Sequence, residues 1–387
     1  MICIECRTVC WNPSGLPSYQ RALARHLPEI APDHAFRLLT DGRDPHIVPS
    51  LPNVREIALA GDPRSVLAPA LLARQLDASR VTLLHATAGF YPPGLGARVI
   101  TTVHDVLWIT DPEWLRPRGL GGRIRALACR RYVSEALQRS ERVIVPSEAT
   151  WRAIHEQVPS VASRLRLIPH GVGREFCASD DAAEVRGAVR RILGSDVRYV
   201  LEVGRAAAYR NQGGLIRAFA KAFASEREIL LVIAHPAGET GEELMRVARR
   251  VGVEQRVRIL RGLPTADVIA LYRGAMCLCH PTLHEGFAVA VAEAMRCGCP
   301  VITSGRAGVG ELAEGAAQVV NPENEDDIAG ALRRVALQPD VAERMRRRGL
   351  ERTREMTALR MAQATWEVYR EVLQESKGPR WTVPPKA

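Results

Sequence analysis

The sequence predicts an α/β chain folded as two doubly wound, parallel-sheet domains, on three observations. Short apolar β-type runs alternate with helical runs from end to end, as in repeated strand–helix–strand units. The runs fall into two arrays of about six strands, with a break between them. The chain has 387 residues, enough for two domains of ordinary size.

The first array places strands at Met1–Cys6, Phe36–Leu39, Val81–His85, Val99–Val103, Arg142–Val145 and Leu165–Ile168. The break follows at Pro169-His170-Gly171-Val172-Gly173. The second array places strands at Tyr199–Val203, Ile229–Ala234, Val257–Leu260, Met276–Cys279, Val301–Thr303 and Ala317–Val320. These runs divide the chain into a first domain over 1–172, a linker over 173–195 and a second domain over 196–356. An amphipathic helix carrying Trp366 and Tyr369 follows over 357–375. The Pro- and Lys-rich tail 376–387 is expected to be disordered.

Composition is globular, with 47% hydrophobic and 25% charged residues. No run reaches the length of a membrane span. The N-terminus lacks the basic start and apolar core of a signal peptide, so a cytoplasmic chain is expected. The formal net charge of +10, mostly Arg, points to an anionic partner. Aromatic residues make up only 5%, and no nucleic-acid motif is present, which argues against nucleic acid. The nine cysteines are expected as free thiols. Cys277/Cys279 and Cys297/Cys299 have the look of zinc pairs, but alternation on a buried strand and packing at a helix end fit them better.

The stretch from His280 to Thr303 reads as loop, helix, turn and strand. Ala288–Arg296 is a run of helix formers, Gly298 is placed to end it, and Pro300 opens the next strand. Glu293 lies in that helix among Ala, Val and Met, where a carboxylate needs donors. Glu285 precedes the helix, within reach of free backbone N–H groups or a ligand hydroxyl. The plain alternative pairs Glu293 with Arg296 and makes Glu285 a simple cap.

Other stretches sit at strand ends, where open α/β sheets bind ligands. Gly15, in Asn12-Pro13-Ser14-Gly15-Leu16-Pro17, lies at a strand-to-helix turn where backbone can approach a phosphate. His104 and Asp105 follow the Val99–Val103 strand. Gly204, Arg205, Arg210 and Asn211 follow the first strand of the second array. Arg grips a diphosphate bidentately. Gly305, Gly308 and Gly310 form a further glycine loop, and Glu311 reads as a helix-start residue. The basic segment 114–131 interleaves Arg116, Arg118, Arg123, Arg125, Arg130 and Arg131 with Trp114, Leu120, Ile124 and Leu127. That mix suits either an anionic membrane surface or a solvated Arg face.

Glu285-Gly286-Phe287 and Glu293-Ala294-Met295 resemble the Glu-x7-Glu signature of the retaining GT-B glycosyltransferases of family 4, and bacterial mannosyltransferases in particular. Ala288 and Ala290 stand where Gly and Pro are common. The resemblance implies a GT-B fold: two Rossmann-like domains facing each other across a cleft, with a C-terminal helix crossing back to the first. It implies donor binding by Gly15, Gly204, Arg205, Arg210, Asn211, Glu285, Gly286, Phe287, Ala288 and Glu293. His104, Arg205, Arg210 and Glu285 would carry the chemistry, and Arg210 stands where the family usually has Lys.

The substrates implied are a nucleotide-diphosphate sugar, GDP-mannose favoured, and a glycan or lipid-linked acceptor. No Asp-x-Asp pair is present, and the arginines would take the place of a metal, so neither metal nor cofactor is expected. A nucleotide-sugar 2-epimerase of the same fold, or a non-catalytic binding subunit, are the alternatives.

Overall fold

The computed structural model describes residues 1–9, 15–43, 51–62, 65, 67–77, 80–110, 119–238 and 241–375. Seven strands form the first sheet: β1 (Ile2–Glu5), β2 (Phe36–Thr40), β3 (Val54–Ala58), β4 (Leu83–Ala86), β5 (Arg98–Thr102), β6 (Arg142–Val145) and β7 (Leu165–Leu167). Six form the second: β8 (Tyr199–Val203), β9 (Leu230–His235), β10 (Val257–Arg261), β11 (Cys277–His280), β12 (Val301–Ser304) and β13 (Gln318–Val320). Every pairing within them is parallel. The orders are β3-β2-β1-β4-β5-β6-β7 and β10-β9-β8-β11-β12-β13. Strand order therefore reverses beside β1 in one sheet and beside β8 in the other. Such reversals are where doubly wound sheets place their ligands, outside the carboxyl ends of the strands.

The expected strands are present, with ends displaced by a residue or two. One strand, β3, was not expected. It lies at the sheet edge, and its side chains are only partly covered or exposed, so it lacks an apolar run.

Strand alternation sorts the second core into two faces. Tyr199, Leu201 and Leu278 pack on one side; Val200, Cys277, Cys279 and Ile302 pack on the other. Cys277 and Cys279 are thus core side chains, and burial pushes both thiol pKa values up. Helix Ala182–Leu193, in the segment expected as linker, sets Val189 into the second domain's core.

The chain passes between the domains twice. Val172 bridges Thr357, with Val172 N–H on the Met356 carbonyl and Ala358 N–H on the Val172 carbonyl. Helix Ala358–Gln374 then packs Met361, Val368, Tyr369 and Val372 against Ile2, Leu38 and Leu83 of the first domain. Tyr369 hydroxyl meets His85 Nδ1 at 2.7 Å, and Glu371 accepts from Arg142 and Arg166. This is the crossing-back helix that the sequence resemblance implies. Tail 376–387 lies outside the described residues.

Candidate active site

The two sheets bring their carboxyl ends together around Gly286. A Cβ there would lie 1.9 Å from the His104 carbonyl oxygen, so the lobes meet backbone to backbone and only glycine fits. Gly308 is confined in the same way, between the Gly286 carbonyl and Ser147 Oγ. Its N–H donates to the Glu285 carbonyl at 3.0 Å, so in this closed arrangement it is already partnered. Phe287 sets its ring edge on His170, centroids 5.2 Å apart.

Helix Val289–Arg296 carries Glu293 and ends in a Schellman turn: Gly298 N–H returns to Met295 and Cys299 N–H to Ala294. Gly298 adopts φ +75°, which glycine takes without strain. Arg296 turns to carbonyls of Phe176, Thr353 and Arg354, so it is not the partner of Glu293. Buried Glu293 instead accepts from Tyr272 hydroxyl at 3.2 Å. Burial raises its pKa to about 8.

Arg210 lies at the end of a short 3-10 turn between β8 and helix Gln212–Ala222. Its side chain is 16% exposed, and Nη2 stands 2.7 Å from Glu285 Oε1. The contact lies off a hydrogen-bond line, so it acts as a charge pair. Burial pushes Glu285's pKa up, but Arg210 and His280 outweigh it and hold the carboxyl below its ordinary value. Nη1 donates to His280 Nε2 at 3.1 Å. Gly204, without a side chain, leaves room for that guanidinium. Tyr209's carbonyl accepts from Leu283 N–H at 2.7 Å, tying the Arg210 loop to the Glu285 loop.

Arg205 is exposed on the same loop. Asn211 adopts φ 53°, and its amide donates to the Pro322 carbonyl at 2.5 Å, which anchors the loop. Ala288 is buried at the N-terminus of the Glu293 helix. Gly15, φ +71°, opens helix Leu16–Ile30 with clear space beside it; Asn12, Pro13 and Ser14 lie outside the described residues.

His104 differs from expectation. His104 was expected to carry chemistry, yet both its ring nitrogens are engaged within the protein. Nε2–H donates to the Thr87 carbonyl at 2.7 Å, and Nδ1 accepts from His170 Nε2 at 3.0 Å. A carbonyl only accepts, which fixes this tautomer. What His104 turns to the second domain is its carbonyl oxygen, against Gly286. Burial lowers its pKa to about 4, so the ring is neutral near pH 7. Tyr19 packs edge-on against both rings, centroids 5.0 and 4.9 Å away. His170, read in the sequence only as part of the domain boundary, is thus the partner of His104.

Glu311 also differs. It is not a helix-start residue of its own helix, Ala307–Ala313. It reaches into the first domain and accepts from the N–H groups of Glu148 and Ala149. The residues that sequence reasoning missed are Glu202, Gln212 and His280, a buried chain behind Arg210.

Of the basic segment, Ile124 and Leu127 are 55% and 71% exposed on helix Gly119–Arg139, beside exposed Arg123, Arg130 and Arg131. Trp114, Arg116 and Arg118, and the side chains of Leu120 and Arg125, lie outside the described residues. Among the described residues, no helix is long and apolar enough to cross a membrane.

Comparison with known proteins follows the same two halves. The family described as Glycosyltransferase Family 4 matches residues 13–176, and that described as Glycosyl transferases group 1 matches residues 188–352. D-inositol 3-phosphate glycosyltransferase of Kribbella flavida is 29% identical over 54% of this chain and 51% of its own length. O-antigen chain mannosyltransferase B of Escherichia coli is 26% identical over 62% of this chain and 61% of its own. The aligned part thus spans between half and two thirds of these relatives. Sucrose-phosphate synthase of Thermosynechococcus elongatus superposes with TM-score 0.75 at 20% identity, covering 96% of this chain and 98% of that one. Anabaena HepE, solved with UDP and glucose, superposes with TM-score 0.74 at 18% identity, covering 96% and 99%. Both share the GT-B fold. The two family matches together run over both domains, and the chain belongs to the group 1 glycosyltransferases of family 4.

Proposed function

We propose that the protein transfers a hexose from a nucleotide-diphosphate sugar to a hydroxyl of a glycan or lipid-linked acceptor, with retention at the anomeric carbon and without a metal. The observation that carries this is the Arg210 guanidinium, largely buried at the mouth of the second sheet and facing Glu285. In this reading the donor diphosphate takes the guanidinium, aided by Arg205 and by backbone N–H groups near Gly286 and Phe287. Glu285, released from Arg210, turns to the sugar, and Glu293 accepts from the ribose hydroxyls. The anomeric C–O bond to the diphosphate breaks as the acceptor oxygen bonds to the same face of that carbon. The acceptor proton passes to the leaving phosphate oxygen. The arginines stabilise the charge that grows on that leaving group.

GDP-mannose is the favoured donor, supported by the mannosyltransferase among the relatives. HepE, whose structure holds UDP and glucose, keeps a uridine donor in view. The exposed Ile124–Leu127 face, flanked by arginines, is a membrane contact that would suit a lipid-linked acceptor.

Two measurements test the reading. Thermal shift with GDP, UDP and ADP should single out one base, since only a bound nucleotide stabilises. Donor turnover should persist in EDTA and should collapse in an Arg210→Ala, Glu293→Ala double variant; unchanged turnover in that variant would overturn the site. Epimerised sugar formed without acceptor would point to the epimerase instead.

A further inference from the structure

Behind Arg210 lies a chain of buried polar groups that the reaction as written does not use. Glu202, on β8, and His280, at the end of β11, are both 0% exposed. His280 Nδ1 donates to Glu202 Oε2 at 2.9 Å, and Nε2 takes the Arg210 Nη1 hydrogen at 3.1 Å. Arginine has no acceptor atom, so Nε2 must offer its lone pair and the ring proton must sit on Nδ1. Glu202 is held in turn by Val203 N–H at 2.9 Å and Gln212 Nε2 at 3.1 Å. Gln212 Oε1 meets His235 Nε2 at 3.2 Å.

Burying a carboxylate this completely is costly, and apolar side chains of similar volume would serve stability as well. The arrangement has a chemical logic instead. Glu285, the carboxylate that stands on Arg210 here, offsets the charge a leaving diphosphate needs and has to turn away first. The Nε2 lone pair orients the guanidinium without placing a negative charge on it, while Glu202, one ring away, holds the proton on Nδ1.

We propose that His280 and Glu202 are positioning residues for donor turnover: they hold the Arg210 guanidinium in the orientation that receives the departing diphosphate once Glu285 has turned to the sugar. This rests on the donor-site reading above.

The test uses the full-length chain and measures nucleoside diphosphate released from GDP-mannose and from UDP-glucose. His280→Asn keeps a donor near the Nδ1 position but loses the acceptor for Arg210. His280→Gln can return an acceptor oxygen near the Nε2 position. H280N is expected to lower kcat about tenfold, the scale for unpairing one buried hydrogen bond, with KM little changed. H280Q should recover most of that loss, and H280N should add no further loss in an Arg210→Ala background.

A parent-like H280N, an H280Q no better than H280N, or a loss that persists in the R210A background would each overturn the proposal while leaving the donor site standing. A parent-like R210A, or a parent that consumes neither sugar nucleotide, would overturn the donor-site reading and this proposal with it. Should H280N not fold, Glu202→Gln is read in the same cycle, with the same dependence on Arg210 expected. If neither variant folds, the chain is structural and the proposal fails.

Discussion

Glu311, from the second domain, sets its carboxylate on the first turn of helix Glu148–Gln157 in the first domain, accepting from Glu148 N–H at 3.0 Å and Ala149 N–H at 2.5 Å. Ser147 caps the same turn by accepting from Thr150 N–H at 3.1 Å. The helix end is therefore completed by a residue of the other lobe, at the pole where negative charge is favoured. Glu311→Ala should cost about 1 kcal/mol, the usual worth of such a cap. The loss should fall on lobe closure more than on either core. Small-angle scattering of the unliganded variant should show a larger radius of gyration than the parent; identical profiles would refute this.

Gly286→Ala should separate closure from folding. The added methyl would meet the His104 carbonyl across the cleft, so the strain is relieved by parting the lobes rather than by unpacking a core. Donor kcat/KM should fall roughly tenfold to a hundredfold, on the scale of an overpacking cost. The circular dichroism spectrum should not change. An active variant would show that the contact is dispensable.

Glu293 should make both stability and binding depend on pH. Its folded-state pKa is raised to about 8, so the folded chain keeps a proton that the unfolded chain releases near 4.5. The contribution is fully present below the unfolded value, fades as pH rises towards 8, and is gone above it. Urea midpoints at pH 5 and pH 8 should show Glu293→Gln gaining on the parent at the higher pH. If ribose hydroxyls then donate to this carboxylate, the ionised form is favoured on binding. GDP or UDP binding near pH 7 should release a proton, read as a buffer-dependent heat that the E293Q variant lacks.

Ile124→Asp with Leu127→Asp tests the exposed face of helix Gly119–Arg139. The parent should cosediment with vesicles containing anionic lipid, less so at high salt, and the double variant should stay in the supernatant. Equal sedimentation would assign the face to solvent.

The twofold domain plan is legible because most strands are buried on both faces and so read as apolar runs. β3 escapes because it is an edge strand with polar Arg55 and Glu56 in its middle. Glu285, Glu293 and Arg210 are legible because they lie at fixed spacings in recognisable stretches. Glu202 and His280 are not. They are 78 positions apart and meet only because β8 and β11 are neighbours, a pairing that strand order decides and local pattern does not. The His104–His170 contact is hidden for the same reason, 66 positions apart beyond the ends of β5 and β7 of one sheet. Sequence spacing placed His104 at the right strand end, but the direction of its ring is set by Thr87 and His170, which no local motif encodes.

The bridge between Val172 and Thr357 puts both covalent passages between the lobes side by side. Two strands of chain that run together act as a single pin. Parting the rims at Gly286 and Glu311 would leave that ladder intact, whereas sliding the halves past one another would tear it. Any opening of the cleft would therefore leave that ladder as its hinge, with helix Ala358–Gln374 held to the first lobe by its packing.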